Sequence, residues 1–258
     1  MFRKFKINKN TESDKILVIL NILEGSNVNQ QKHIAIKPQS HNQMKVLIIG
    51  ANGQIGQLII DKMNDSSDFT PTAFIRSEDQ VSQFKSKGIA TAVASLEGPV
   101  DDLAKKMKGQ DAVIFTAGSG GKTGPDKTLT VDLDGAVKAM EAALSSGVKR
   151  FVMVSSLRAD NREIWEKSGI KPYLVAKHYA DRILKDIGLD YTILRPGRLL
   201  DEPGTVQITL KNTTDQKGVP RADVANLAVE VLRHPVTISK VIEFNTGDTP
   251  ITEAVQSL

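Results

Sequence analysis

Two side chains spaced four residues apart are suited to acid–base chemistry. Tyr173 and Lys177 occur in the segment YLVAK, and this spacing places both on the same face of a helix. A free tyrosine, with a pKa of about 10, exchanges protons poorly near neutral pH, whereas a nearby ammonium favours the phenolate and lowers that pKa. The pair is therefore a candidate for general acid–base catalysis. The alternative is a packed aromatic ring beside a lysine whose ammonium reaches solvent.

Two serines could take part in the same reaction. Ser155 and Ser156 follow the apolar run 151–154, which is typical of a buried strand. A hydroxyl at the end of that strand could donate a hydrogen bond to a substrate carbonyl. The sequence does not distinguish between the two serines. Tyr173 and Lys177 fall at the margin of their helix's apolar stripe, where side chains can line a cleft beside a sheet.

A glycine-rich turn predicts where a cofactor would bind. The stretch 45–63 reads KVLIIGANGQIGQLIIDKM, an apolar run followed by apolar residues at helical spacing. Gly50, Gly53 and Gly56 lie between the predicted strand and helix. Such a turn lets the backbone approach a pyrophosphate, and the free N–H groups and dipole of the helix N-terminus favour its charge. We therefore predict a dinucleotide site. The alternative is a glycine-rich turn whose glycines serve only close packing.

The residue after the second predicted strand indicates the type of cofactor. Arg76 follows Gly56 by 20 residues and comes directly after the predicted strand Phe69–Ile75. An acidic residue there would bind the ribose 2′-hydroxyl of NAD, whereas an arginine can pair with the 2′-phosphate of NADP. The sequence thus favours NADP(H) over NAD(H). The alternative is an arginine that contacts only solvent.

The loop Gly118–Thr123 ends like a phosphate-binding P-loop. The first glycine of that pattern would fall at Thr116, and Gly124 and Pro125 are expected to break the helix that a P-loop requires. Nucleotide hydrolysis is therefore not predicted. A glycine loop after the fourth strand can instead form a wall beside the cofactor ribose.

Strand and helix patterns alternate from Met44 onward. This alternation predicts an α/β fold, a Rossmann-type doubly wound parallel sheet with helices on both faces. After the first strand we predict strands at Phe69–Ile75, Ile89–Ala94, Ala112–Phe115, Phe151–Val154 and Tyr191–Leu194, and helices at Asp79–Lys87, Val100–Lys108, Leu129–Ser145 and Tyr173–Ile187.

Composition excludes several classes of function. The chain has no cysteine, so disulfides, thiol catalysis and cysteine-based metal sites are excluded. Its four histidines are scattered without HxH or HExxH spacing, and no metal is expected. Residues 1–43 hold seven Lys and Arg against three Asp and Glu, which equals the net charge of +4 of the whole chain. Residues 44–258 are therefore neutral overall, and no nucleic-acid partner is expected.

Residues 1–43 form a leader that differs from the rest of the chain. Its apolar run Ile16–Leu23 is too short to span a bilayer. Glu12 and Asp14 precede that run, no small-residue cleavage site follows it, and the stretch 25–43 is rich in Asn, Gln and Ser. We predict a poorly ordered leader or a feature of the start site, with the domain beginning at Met44. The alternative is a docking strand or helix with a mobile linker. A cytoplasmic protein without membrane association is expected.

Several motifs occur in the order found in short-chain dehydrogenase/reductases. They are GANGQIG at 50–56, VSS at 154–156, YLVAK at 173–177, YTILRPG at 191–197 and PRADVA at 220–225, with GSGGKTGPDKT and VDLDG between the first two. Residues 44–250 thus resemble the atypical NAD(P)-binding branch of that superfamily, which is related to NmrA-like and epimerase-like proteins.

The resemblance implies a role for each matching residue. Tyr173 and Lys177 match the catalytic pair, and Lys177 would also hold the nicotinamide ribose. Ser155 or Ser156 matches the catalytic serine, although the gap to Tyr173 is longer than in typical short members. The implied cofactor-binding residues are Gly50, Asn52, Gly53, Gln54, Ile55, Gly56, Arg76, Ala117, Gly118, Lys177, Pro196 and Gly197.

The implied function is an NADP(H)-dependent oxidoreductase acting on a small carbonyl, alcohol or quinone-like substrate. Residues 196–258 would form a lid on the substrate side, and their shortness argues against a large nucleotide-sugar substrate. Three alternatives remain: an NADP(H)-binding redox-sensing regulator without turnover, an epimerase or dehydratase with bound cofactor, and a flavin- or quinone-type reductase that does not use Tyr173. The partner is expected to be a small-molecule substrate, and the protein a monomer or homodimer.

Overall fold

The fold is taken from a computed structural model that describes residues 43–121, 123–210 and 218–258. The predicted leader lies outside these ranges except for its last residue. The strands are β1 (Met44–Ile49), β2 (Phe69–Ile75), β3 (Ala90–Val93), β4 (Ala112–Phe115), β5 (Arg150–Val154), β6 (Asp190–Pro196), β7 (Leu199–Leu200), β8 (Gln207–Leu210), β9 (Val219–Pro220), β10 (Lys240–Thr246) and β11 (Thr249–Pro250).

One large sheet organises the described part of the chain. Its strand order is β11-β8-β10-β6-β5-β4-β1-β2-β3. From β3 to β10 all neighbours are parallel, and β8 runs antiparallel to β10 and β11. This strand order confirms the predicted doubly wound Rossmann-type sheet. The prediction was correct because continuous apolar runs form strands that must be buried on both faces.

Helices cover both faces of this sheet. They are α1 (Gln54–Asn64), α2 (Val81–Lys85), α3 (Val100–Met107), α4 (Pro125–Lys127), α5 (Asp134–Ser146), α6 (Arg162–Trp165), α7 (Lys171–Asp186), α8 (Arg221–Arg233) and α9 (Ile251–Gln256). Side chains of β1 alternate between the two layers. Val46 and Ile48 belong to the core beneath α1 and α8, and Leu47 and Ile49 to the core beneath α3, α5 and α7. Where both faces of the strand are covered, from Val46 to Ile49, all its side chains are aliphatic.

The order of the strands reverses at β1. The chain moves from β1 to β2 on one side, with Ile49 beside Phe74, and later returns to place β4 on the other side, with Ile49 beside Phe115. A crevice opens at such a point beyond the carboxyl ends of the strands, and in open α/β sheets ligands bind there. The glycine turn after β1 and the loop after β4 therefore meet at this crevice.

The helix predicted at Leu129–Ser145 differs from the structure. Helical structure begins at Pro125, passes through a π-helical turn at Thr128–Leu133 and continues as α5. Gly124 is extended and helical structure begins only after it, so the described part of this loop does not continue into the helix that a P-loop requires. Proline is tolerated in the first helical turn, where its missing N–H has no partner to lose. The wider π-helical turn rotates the side chains before it relative to those of α5.

The segment after Pro196 contributes more to the fold than the sequence indicated. Strand β10 extends the parallel sheet beside β6, and the core beneath α1 includes Val224, Leu227 and Ala228 of α8. Arg198, Leu199 and Arg221 of the same segment line the crevice. Its role as a substrate-side lid stays a prediction.

Candidate functional site

The glycine turn brings two loops into contact. Gly50 has φ +88°, and a Cβ there would lie 2.6 Å from the backbone nitrogen of Ala117. A Cβ on Gly56 would lie 2.2 Å from the Gly50 carbonyl oxygen. These distances are shorter than a non-bonded contact, so the packing of α1 against the turn requires glycine. No side chain caps α1 at Gly53, and its first turn holds no acid. Its first N–H groups are therefore available to an anion.

Two adjoining cavities form the crevice. The first has a volume of about 360 Å³ and extends from Gly50 and Asn52 to Arg76. The second has a volume of about 700 Å³ and extends past the same loops to Tyr173 and Lys177. The residues that line both cavities are Gly53, Thr116, Ala117 and Gly118. The crevice thus joins the glycine turn to Tyr173 and Lys177.

The structure brings nearly all of the predicted site residues to this crevice. The first cavity is lined by Gly50, Asn52, Gly53, Arg76, Ala117 and Gly118. The second adds Gln54, Ile55, Ser155, Ser156, Tyr173, Lys177, Pro196 and Gly197. Gly56 is buried behind the turn, so it supports the cavity without lining it.

Lys177 is buried beside Tyr173. It is 3% exposed, and its Nζ donates a hydrogen bond of 3.1 Å to the carbonyl oxygen of Val154. The same nitrogen lies 5.6 Å from the centre of the Tyr173 ring and 5.9 Å from that of Phe115. Tyr173 is half-buried, and its hydroxyl makes no hydrogen bond within the described ranges.

The two serines have different environments. Ser155 is 3% exposed, and its hydroxyl lies near the Asp181 carboxylate. This contact opposes the effect of burial, which raises the pKa of Asp181. The two groups fall short of regular hydrogen-bond geometry. Ser156 is half-buried, and its Oγ lies 3.4 Å from the Leu157 carbonyl oxygen, which is a weak hydrogen bond. Ser156 is therefore the more accessible hydroxyl.

An ion-pair network centred on the buried Arg195 was not predicted from the sequence. Arg195 is 3% exposed, and its Nε donates to Asp181 Oδ2 at 2.9 Å. Its Nη1 donates to Asp160 at 2.6 Å and to Glu243 at 3.1 Å. Asp181 follows Lys177 by four residues on the same face of α7, so helical spacing alone could have shown it. The pKa of Asp181 is raised by burial, against the lowering effects of Ser155 and Arg195.

Asp132 is a second buried acid that the sequence analysis did not single out. It lies on the π-helical turn, is 1% exposed and lines the larger cavity. Its Oδ2 accepts a 2.9 Å hydrogen bond from the backbone N–H of Ser119, whereas its Oδ1 has no hydrogen-bond partner among the described residues. The carboxylate thus orients the glycine loop after β4. A regular helical pattern could not have indicated this side chain, because the π-helical turn changes its direction.

Arg76 lies where the first cavity opens to solvent. It is exposed, and its backbone N–H donates to Gln80 Oε1 at 3.2 Å. The guanidinium forms no ion pair with the described residues. It is therefore free to pair with an anion placed in that cavity.

The described residues provide no metal site or membrane span. Within residues 43–121, 123–210 and 218–258 there is no group of three or more His, Asp or Glu placed to hold a metal ion. The helices of these ranges are also too short or too polar to cross a bilayer.

The fold and the crevice define an NAD(P)-binding Rossmann-type domain. Residues 50–235 match the model of a family described as NAD(P)H-binding, and the chain belongs to that family. Its structural neighbours lie in the epimerase and reductase class of atypical short-chain dehydrogenase/reductases, as the motifs predicted.

Similar proteins carry epimerase and oxidoreductase names. A Bacillus subtilis (strain 168) protein named "uncharacterized sugar epimerase YhfK" is 49% identical over 83% of this chain and 100% of its own length. A Bacillus halodurans structure assigned as an NAD-dependent epimerase/dehydratase is 37% identical, with a TM-score of 0.77 over 83% of this chain and 100% of its own. The Lactococcus lactis oxidoreductase ylbE is 34% identical, with a TM-score of 0.76 over 83% and 96% of the two chains.

Proposed function

We propose that this protein is an NADP(H)-dependent oxidoreductase acting on a small carbonyl, alcohol or quinone-like substrate. The observation that supports this best is the position of Tyr173. Its unpartnered hydroxyl and the buried Lys177 ammonium line the same cavity as the start of α1, where a pyrophosphate would be held. When bound, the nicotinamide would supply or accept the hydride.

Each residue of the site has a distinct part in this proposal. Tyr173 would give its proton to the substrate oxygen during reduction and take it back during oxidation. The Lys177 charge would stabilise the phenolate that remains. Ser156 would donate a hydrogen bond to the same substrate oxygen, because its hydroxyl is more accessible than that of Ser155. Arg76 would select NADP(H) through the 2′-phosphate.

Replacing the tyrosine tests the proposal directly. Tyr173→Phe keeps the ring and its packing but removes the proton. A positioned general acid contributes about 10²–10⁴-fold in rate, so NADPH-dependent reduction of a panel of aldehydes, ketones and quinones should fall by that factor. NADPH affinity, measured by titration, should change little.

The matched control is Tyr179→Phe on the same helix. Tyr179 is 38% exposed and lines neither cavity of the crevice, so activity should be retained. An unchanged rate in Tyr173→Phe would favour direct hydride transfer without the tyrosine. Tight NADPH binding without any turnover by the native protein would favour a redox-sensing regulator.

Epimerisation is the second candidate because two of the similar proteins carry epimerase names. An epimerase returns the hydride to its substrate, so the reaction shows no net oxidation and the cofactor stays bound. The absorbance spectrum of the purified protein distinguishes the two functions. Nicotinamide retained through purification, without exchange for added NADPH, would support the epimerase.

A further inference from the structure

A third cavity opens on the far side of the turn that follows β6. Its volume is about 360 Å³. It is lined neither by the glycine turn, nor by the loop after β4, nor by Lys177, and of the predicted cofactor-binding residues only Pro196 and Gly197 line it. It adjoins the cavity that contains Tyr173 and shares these lining residues with it: Ser156, Ile170, Pro196, Gly197 and Arg198.

The walls of this third cavity are largely apolar. Leu157, Ile164 and Leu174 line it, and Ile170 stands at its junction with the second cavity. Ile170 is 50% exposed, so part of its apolar surface is accessible to a ligand. Burying such surface against the apolar body of a ligand removes it from water and favours binding.

Two arginines line the third cavity. Arg198 is exposed, lines both adjoining cavities and forms no ion pair with the described residues. Arg158 adds a second guanidinium to the lining. No Asp or Glu is present among the described residues that line this cavity. The larger cavity also contains Arg221, but that side chain already pairs with Asp201 at 2.7 Å.

We propose that the third cavity binds the part of the substrate that does not react, and that this part has an apolar body and an anionic group paired with Arg198. This inference rests on the proposed function, because it places the reacting carbonyl beside Tyr173 in the adjoining cavity. The shared lining allows one molecule to occupy both cavities. A planar guanidinium binds a carboxylate or sulfonate through paired hydrogen bonds, whereas a cationic substrate would be repelled.

Binding of a charged and an uncharged naphthalene separates this inference from the reaction itself. Isothermal titration of the full-length protein, saturated with NADP⁺, measures affinity for 2-naphthoate and for 2-naphthamide. The two molecules have similar size and shape and differ in charge. We expect naphthoate to bind about 10-fold more tightly, the low end for a hydrogen bond to a charged group. Because no turnover is needed, this result does not depend on whether Tyr173 is catalytic.

Three variants test whether Arg198 causes the preference for naphthoate over naphthamide. Arg198→Gln should remove the preference for naphthoate, and Arg198→Lys should keep part of it because the charge remains. The control is Arg182→Gln, an exposed arginine on α7 that stacks on Tyr179 and lines none of the three cavities. It should keep the full preference. Melting temperatures of all variants establish that each is folded.

The reaction gives a second measurement where turnover is found. The kcat/KM ratio of 4-carboxybenzaldehyde to its methyl ester should be about 10-fold lower in Arg198→Gln than in the native protein. Intrinsic reactivities cancel because the same two aldehydes are compared in both proteins. Equal affinities for naphthoate and naphthamide in the native protein would overturn the inference. So would an undiminished preference in Arg198→Gln, or an equal loss in Arg182→Gln.

Discussion

Lys177 of α7 donates a 3.1 Å hydrogen bond to the carbonyl oxygen of Val154, the last residue of β5. This bond ties the middle of the helix to the carboxyl end of a central strand. It holds the ammonium over the rings of Tyr173 and Phe115 at 5.6 and 5.9 Å. A buried charge is stable only when it is paired or hydrogen-bonded, so the position of this side chain is set by the junction of strand and helix.

Removing this ammonium should affect both chemistry and binding. Lys177→Met keeps most of the hydrocarbon chain but loses the ammonium that lies 5.6 Å from the centre of the Tyr173 ring. We expect a larger loss of activity than in Tyr173→Phe, together with weaker binding of NADPH. Steady-state rates and a cofactor titration measure the two effects. Lys185→Met, at an exposed position of the same helix, should behave like the native protein.

Arg76 should determine the choice of cofactor. A charge-assisted contact to the 2′-phosphate is worth roughly 1.5–3 kcal/mol, or about 10- to 150-fold in affinity. Arg76→Asp should reverse the preference toward NADH, because an acid can bind the 2′-hydroxyl instead. Titration of both cofactors against both proteins gives the answer. Equal affinities for NADPH and NADH in the native protein would show that Arg76 does not contact the cofactor.

Breaking the buried ion pair between Arg195 and Asp181 should lower the free energy of unfolding more than breaking an exposed pair. Arg195→Met leaves the Asp181 carboxylate buried without its cation, which costs about 3–5 kcal/mol of unfolding free energy. Urea denaturation measures this loss. The double variant Arg195→Met/Asp181→Leu should be more stable than Arg195→Met, because the fully buried carboxylate is then absent and the remaining partners, Asp160 and Glu243, are partly exposed. Lys87→Met, which breaks the exposed pair with Asp61, should cost about 1 kcal/mol or less.

The carboxylate of Asp160 should make the stability of the folded protein depend on pH in the acid range. Burial raises its pKa, but the hydrogen bond and charge of Arg195 outweigh burial, and the net effect is a lowered pKa. An acid whose pKa is lower in the folded state adds stability above its unfolded-state pKa and loses it as the pH falls through the folded-state pKa. Asp160→Asn should therefore be less stable than the native protein at pH 7, and the difference should shrink by pH 3. A constant difference across this range would mean that the carboxylate charge contributes nothing.

The glycine turn should be sensitive to a single methyl group. Gly50→Ala forces a left-handed conformation on a residue with a Cβ and also places that atom 2.6 Å from the Ala117 nitrogen. The first effect alone costs about 1–2 kcal/mol. Gly88→Ala isolates it, because Gly88 has φ +73° with open space around it. Thermal unfolding should show a larger loss for Gly50→Ala, and cofactor affinity should fall only in that variant.

The sequence alone determined the architecture and the cofactor end of the site. Continuous aliphatic runs can form only strands that are buried on both faces, and their alternation with helical patterns leads to a parallel sheet. The turn from Gly50 to Gly56 could be interpreted because its glycines, strand and helix are contiguous in the chain. Tyr173 and Lys177 could be paired for the same reason, since helical spacing is a local property. The π-helical turn before α5 was not predicted, because its side-chain directions differ from those of a regular helix.

Only the tertiary structure decided what surrounds these residues. Arg195 collects acids from positions 160, 181 and 243, which lie in three different elements. Lys177 is buried because Phe115 and Val154 arrive from two neighbouring strands. Arg198 stands between two cavities because the chain turns after β6 and meets α6 and α7 there. Such contacts join residues far apart in the chain, and the spacing of residue types along a sequence carries no information about which distant elements will meet.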